Sequence, residues 1–428
     1  MNRVYQLLGS KKNINIAFVL FVLVYLVLGV ISISNSGLQV NNNDNYKDLF
    51  VKFHELGYYD AVAQGTSIVY NFFLSSIFAA TKSVDFSFFV LNLFSNLFLL
   101  FFGYYFCSKT DTAKNTFFYI ISGIYILYVL DMRSYLSASN DSFLGVFVMI
   151  LLYLITIKLF KATNERLTFS SIGFVFAICL SVRITAILLL PLIFIALFYW
   201  IKNTEVSFSK RVQLILMCSL MFFLTILILH YPAIKEKHSL SYEDKNPSKD
   251  LNWIQRNYLG LKKIESGQEK MNRDAIWINT KFEKVQEYLK IHGENSLPKT
   301  FTQAVIKDPI LVAKIAFLNI ITCFGRFFRF WGLLFFIPFT VLFKGVFFNK
   351  YKLPAILFFS FIVILSSVCF TFMEFRWFYG YEILIPISIL YAIDKFKISV
   401  ESSKIQSVIV ISLLLITLFN VKSIISIL

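Results

Sequence analysis

Two short acidic patches, Asn43-Asp44 and Asn140-Asp141, stand where apolar stretches of the chain give way to polar ones. A carboxylate at such a boundary can take a proton from a hydroxyl held within hydrogen-bond reach, and Asp44 and Asp141 are the candidate catalytic acids for that chemistry. The bland alternative at both places is helix capping, for which Asp and Asn are preferred. Asp48, one turn beyond Asp44, reads most simply as a first-turn carboxylate favoured by the helix dipole.

Cations form the second group. Arg183 lies in Ser181-Val-Arg183-Ile-Thr185, inside an apolar run of about 30 residues that must break there to give two short membrane segments. A guanidinium in such a place is expensive unless it snorkels or meets an anion. Arg376 sits in Glu374-Phe-Arg376-Trp377-Phe-Tyr379-Gly-Tyr381-Glu382, where anchoring at the membrane interface is the plain reading. Arg133 belongs to the polar stretch that leads into Asn140-Asp141. The functional reading common to all three is phosphate binding, because arginine makes bidentate contacts with phosphate oxygens. The chain carries no glycine-rich phosphate loop, no H-E-x-x-H and no Rossmann fingerprint, so soluble nucleotide chemistry is not expected.

These residues must be held by elements built in lipid. The 428 residues are 57% hydrophobic and 15% charged, with a mean hydropathy of +0.69, whereas soluble domains carry about 25% charged residues. Helices apolar all round suit a bilayer, and the two-residue alternation of a membrane barrel is absent. The expected fold is an all-α polytopic membrane protein with about eleven transmembrane helices, near 15–34, 83–106, 115–131, 142–158, 170–182, 185–201, 212–231, 332–349, 353–372, 381–394 and 405–421. The net charge of +16 is then mainly a topology signal. Sorting the short loops by Lys and Arg places the N-terminus in the cytoplasm, and no nucleic-acid partner is expected. The first apolar run lacks a small-residue cleavage site and reads as an uncleaved span.

Three parts are expected: a transmembrane module over 1–231 with catalytic outer loops at 35–82 and 132–141, an outer soluble domain over 232–308, and the remaining helices over 309–428. In the first loop, Tyr46, Leu49, Phe50, Phe53 and Leu56 recur at helical spacing and end at Gly57, the pattern of an interfacial helix with a glycine stop. The apolar stretch 67–81 is short for a span, and whether it crosses or lies in the interface is left open. The run 309–331 carries Lys314, Arg326 and Arg329 and is expected to lie on the outer surface. Five cysteines without C-x-x-C spacing and four scattered histidines indicate neither a disulfide framework nor a metal site.

The arrangement resembles the C-type glycosyltransferase superfamily, in particular its protein mannosyltransferase and lipid A aminoarabinose transferase branch. The likeness rests on Asn43-Asp44-Asn-Tyr46 after the first helix, Gly57-Tyr58-Tyr59 before an apolar interfacial stretch, Asn140-Asp141-Ser142 opening a span, Ser181-Val-Arg183-Ile-Thr185, the polar outer domain, and Arg376-Trp377 with Pro386. The resemblance implies transfer of a sugar from a polyprenyl-phosphate donor to a lipid, glycan or protein acceptor at the outer face of the membrane. Direct displacement would invert the anomeric centre, and the phenylalanine- and isoleucine-rich, lysine-biased composition points to a bacterium, hence to its inner membrane. It implies Asp44 as general base and Asp141 as the acid that positions acceptor or metal. Arg183, Arg376 and Arg133 would hold the departing phosphate, and Tyr46, Asp48, Tyr58, Tyr59 and Asn140 would serve as acceptor or supporting contacts. A divalent cation is left open. The competing readings are a polysaccharide polymerase or ligase, and a lipid or oligosaccharide transporter. The lack of an evident internal repeat weighs against the transporter.

Overall fold

The computed structural model describes residues 19–20, 22–23, 26–27, 30–31, 38–40, 45–108, 137–159, 164–242, 251–270, 280–347, 352–370, 375–389, 411–412, 415–416 and 418–419. Among them the chain is helical, with no strand element. Among the described residues, five helical stretches are long and apolar enough to cross a membrane: Val84–Gly103, Glu165–Val182, Ile184–Asn203, Phe208–Lys237 and Pro309–Thr340. The chain is therefore an α-helical membrane protein. The expected spans at 115–131 and most of 15–34 and 405–421 fall outside the described residues.

The described residues form two compact units, one of Met1–Glu243, Phe328–Phe361 and Gly380–Leu428, the other of Asp244–Phe327 and Ile362–Tyr379. In the first, α1 (Tyr46–Ala63) buries Tyr46, Leu49, Phe50 and Phe53, the apolar face expected from the sequence. Gly57 does not stop it. At φ 75° and ψ 178° it breaks the helical path, and the helix resumes to Ala63. That backbone geometry is open to glycine because no Cβ obstructs it. The helix α2 (Ile68–Thr81) has 14 residues. At 1.5 Å per residue it reaches about 21 Å, short of a hydrocarbon layer of about 30 Å. Phe50, Phe78 and Phe88 meet edge to face, and Tyr70 packs on Phe88 and Phe143, joining α1 and α2 to α3 (Val84–Ser108) and α4 (Asp141–Tyr153).

Beyond α4 the chain continues as a π-helical turn, Leu154–Lys158. The helix α5 (Glu165–Val182) ends at Arg183, whose backbone is extended. After the 3-10 turn Ile184–Leu189, α6 (Leu190–Asn203) follows with proline in its first turn, so the expected break falls at Arg183. The long helix α7 (Phe208–Lys237) packs tightly on α5, and a Cβ at Gly173 would overlap the backbone carbonyl of Cys218.

The second unit holds α8 (Trp253–Glu265), α9 (Phe282–His292), α10 (Phe301–Lys307) and most of α11 (Pro309–Trp331). Asn252 with Gln255 and Thr300 with Gln303 form capping boxes that start α8 and α10. Tyr258, Leu259, Leu261, Val285, Leu297, Ala304, Leu311, Val312 and Ile315 make its core. The run expected to lie on the surface, 309–331, is part of a continuous helical stretch that also meets the length and hydropathy of a span. Its arginines do not stand bare, since the Arg326 guanidinium lies 5.8 Å from the Phe375 ring centre. The remaining helices are α12 (Ile337–Phe347), entered through the 3-10 turn Gly332–Phe336, and α13 (Lys352–Cys369).

Candidate functional site

Four segments far apart in the chain meet at the start of α4. The loop 137–140 that leads into it is tied from several sides. Asn92 Nδ2 of α3 donates to Ser137 O at 2.7 Å, and the Tyr70 hydroxyl of α2 donates to Ser139 O at 2.8 Å. The Tyr46 hydroxyl of α1 donates to Asn140 Oδ1 at 2.9 Å, and Asn140 Nδ2 donates to Val182 O at 2.8 Å, the last carbonyl of α5. The Asn140 side chain makes no capping bond to α4, although the residue occupies the N-cap position. Its amide joins α1 to the end of α5 instead, so capping does not account for an asparagine here.

Asp141 follows in the first turn of α4, and its carboxylate pairs with the Arg183 guanidinium. The side chains are 6% and 11% exposed, so the charges compensate each other away from water. The same juxtaposition answers the expense of Arg183 within an apolar run. Nearby, Thr185 Oγ1 and the Tyr381 hydroxyl lie 2.8 Å apart, and Tyr381 is within electrostatic range of Arg183. The segment bearing Tyr381 approaches closely because Gly380 is bare: a Cβ there would sit 3.2 Å from Asp141 O and 3.1 Å from Leu144. Next to it, buried Glu382 accepts from Trp331 Nε1 at 3.0 Å.

A second buried node lies two residues before Arg183. Ser241 N donates to His230 Nδ1 at 3.0 Å, which leaves the proton of neutral His230 on Nε2. Nε2 therefore donates to Ser181 Oγ at 2.9 Å, and that hydroxyl donates in turn to Ala177 O at 2.8 Å. With this direction fixed, His230 is a tie between helices and not a base acting on Ser181. Ser67 Oγ donates to Ser181 O at 2.9 Å, so the C-terminal turn of α5 is held on two sides.

Of the residues singled out in the sequence, Tyr46, Asn140, Asp141 and Arg183 are brought together. Asp44 and Arg133 lie outside the described residues, and Arg376 is placed only by its backbone, in the turn Phe375–Phe378 of the second unit. The N-cap position of α1 belongs to Asn45, with φ 58° and no side-chain capping bond. Asp48 is exposed in the first turn. Tyr58 and Tyr59 turn to α7, donating to Ile228 O at 2.9 Å and Glu236 Oε1 at 2.8 Å. Sequence reasoning missed Asp85, which accepts from Val40 N at 3.1 Å and pairs with Lys47, anchoring the chain on either side of Asp44. It also missed Glu382, Trp331 and His230. The signal available at Asp85, His230 and Glu382 was a lone ionisable residue in an otherwise uncharged apolar stretch. Among the described residues no three His, Cys, Asp or Glu side chains gather to hold a metal ion.

No family model, curated protein or solved structure matches this chain.

Proposed function

We propose that this chain is an integral-membrane glycosyltransferase. It moves a sugar from a polyprenyl-phosphate donor to a hydroxyl of a lipid, glycan or protein acceptor at the outer face of a bacterial inner membrane. One observation carries the reading: the tyrosine two residues after Asp44 is bonded to the asparagine beside Asp141, whose carboxylate pairs with Arg183. Tyr46, Asn140, Asp141 and Arg183 thus belong to one cluster drawn from three segments, an acid and a cation among them.

In the proposed reaction the acceptor oxygen attacks the anomeric carbon as the bond to the phosphate oxygen breaks. The bonding pair leaves with the polyprenyl phosphate, and the hydroxyl proton passes to the Asp44 carboxylate. Direct displacement inverts the anomeric centre. Phosphate is a good leaving group, so orientation, a base and cationic stabilisation of developing charge are the main requirements. Arg183 has five N–H donors in a planar fork, enough to keep Asp141 while meeting phosphate oxygens. Asp141 in turn fixes the direction of that fork.

The test is release of free polyprenyl phosphate from a panel of polyprenyl-phosphate sugars, with envelope lipids and proteins as acceptors, by the protein and by Asp44→Asn. Acceptor-dependent release that Asp44→Asn abolishes, in a variant that still inserts and folds, supports the reading. Extension or movement of lipid-linked oligosaccharide with no donor consumed would replace it by a polymerase, ligase or transporter.

A further inference from the structure

The second unit carries an exposed apolar edge whose position is fixed by a rigid corner. Between α10 and α11, Asp308 Oδ1 accepts from Leu311 N at 3.1 Å, capping α11, while its other oxygen pairs with Lys262 of α8. The corner is held from the other side as well, since Lys307 Nζ donates to Ser296 O in the turn after α9. On this braced corner Ile306 and Ile310 point outward, 77% and 79% exposed. Unsupported loop tips can turn such side chains inward, but a capped and ion-paired corner cannot do so without losing its bonds.

The stripe continues along α11. Ile310, Lys314, Phe317 and Ile321 stand on one exposed face at spacings of four, three and four, with Phe317 62% and Ile321 52% exposed. The opposite face, Leu311, Val312, Ile315 and Ala316, is buried. The same helical stretch, Pro309–Thr340, is long and apolar enough to cross a membrane. A lysine in the middle of a lipid-facing stripe marks the headgroup level, because its ammonium must reach the polar layer while its stem stays in hydrocarbon. Ile310 and Ile306 then lie on the shallow side of that level and Phe317 and Ile321 on the deep side, about 10 Å and 16 Å further along the helix from Ile310 at 1.5 Å per residue.

We propose that the corner Ile306–Ile310 is a membrane-contact surface of the second unit, seated in the headgroup layer of anionic lipid. Ile306 and Ile310 enter the interface, and Lys307 and Lys314 meet the lipid phosphates. The occupant is argued from the continuity of the stripe with a span and from the two lysines that border it. The surface stands independently of the proposed reaction, because no donor or acceptor enters the argument.

The experiment is site-directed spin labelling of the full chain in vesicles of phosphatidylcholine with phosphatidylglycerol. Labels are placed singly at Ile306→Cys, Ile310→Cys and Ile321→Cys, with Glu287→Cys on exposed α9 as the aqueous reference, and any signal from the unsubstituted chain is subtracted. The expected result is a ratio of oxygen to water-soluble nickel collisions several-fold above the Glu287 value at 306, rising through 310 to 321. Water-like collisions at 306 and 310 would overturn the proposal. So would shielding of both labels from oxygen and nickel alike, the signature of a protein partner or a second copy. Repeating the series without phosphatidylglycerol separates the two contributions. A shallower label at 306 is expected there, and an unchanged depth would remove the role given to Lys307 and Lys314.

Discussion

Asp141 and Arg183 form a buried ion pair that joins the first turn of α4 to the break after α5. Removing either residue alone takes a charge partner from the other where both are buried. Asp141→Asn or Arg183→Gln is expected to lower stability by about 3–5 kcal/mol, and the double variant by less than the sum of the two. Thermal unfolding of the purified chain in lipid discs measures this. Additive losses would mean that the two charges do not act as a pair. Both single variants are also expected to lose polyprenyl-phosphate release under the proposed reaction.

Asn140 links α1 to the end of α5 through one amide, so Tyr46→Phe and Asn140→Ala should not behave independently. Each is expected to cost about 1–3 kcal/mol, since a buried polar partner is left unsatisfied. In the double variant the shared bond is counted once, with a coupling of about 0.5–3 kcal/mol. Asn140→Asp keeps the acceptor for Tyr46 but loses the donor to Val182 O and sets a second carboxylate beside Asp141. It is expected to be worse than Asn140→Ala, and equal midpoints would refute the geometry drawn here.

Close approach of α5 and α7 depends on Gly173. A methyl group there meets backbone atoms of Cys218, which cannot rotate away as a side chain would. Gly173→Ala is expected to destabilise by about 1–3 kcal/mol or more. Gly325→Ala is the matched control, because nothing lies within 4 Å of its Cβ position. That change should stay within about 1 kcal/mol of the unsubstituted chain, on the favourable side if helix propensity dominates.

The Lys262–Asp308 pair gives the second unit a pH dependence of known sign. The hydrogen bond from Lys262 holds the Asp308 carboxyl below its usual range, and the same bond raises Lys262. For Asp308 the stabilisation is present above the unfolded carboxyl pKa and is lost as pH falls through the depressed folded value. For Lys262 it is present below the unfolded lysine pKa and is lost as pH rises through the raised folded value. The contribution is therefore full between those limits. With side chains 41% and 23% exposed, it amounts to about 1 kcal/mol or less. Hydrogen exchange at the Leu311 amide, which Asp308 caps, should quicken below the carboxyl range and in Asp308→Ala at neutral pH. No change in either would dissociate the pair from the cap.

Charged and polar residues are conspicuous in an apolar chain, and this made the patches around Asp141 and Arg183 visible before any fold was known. The apolar face of α1 and the break at Arg183 were legible for the same reason, because hydropathy and helical spacing are local properties. The continuation of α1 past Gly57 was not. A glycine with positive φ can stop a helix or bend it, and the choice depends on what Ala61 and Val62 pack against, which includes Ala233 on α7. The arginines of 309–331 pointed to the surface, while the stretch is also long and apolar enough for a span and Arg326 is covered by an aromatic ring from another segment, a contact no local pattern records.

By itself the sequence determined that the chain is helical and built for a membrane, and which few polar residues needed an explanation. Only the tertiary structure decided their partners. Asn140 finds Tyr46 94 residues away, and Thr185 finds Tyr381 196 residues away. A buried polar group must be satisfied by whatever the fold brings alongside it, and no local pattern records a partner that arrives from another helix.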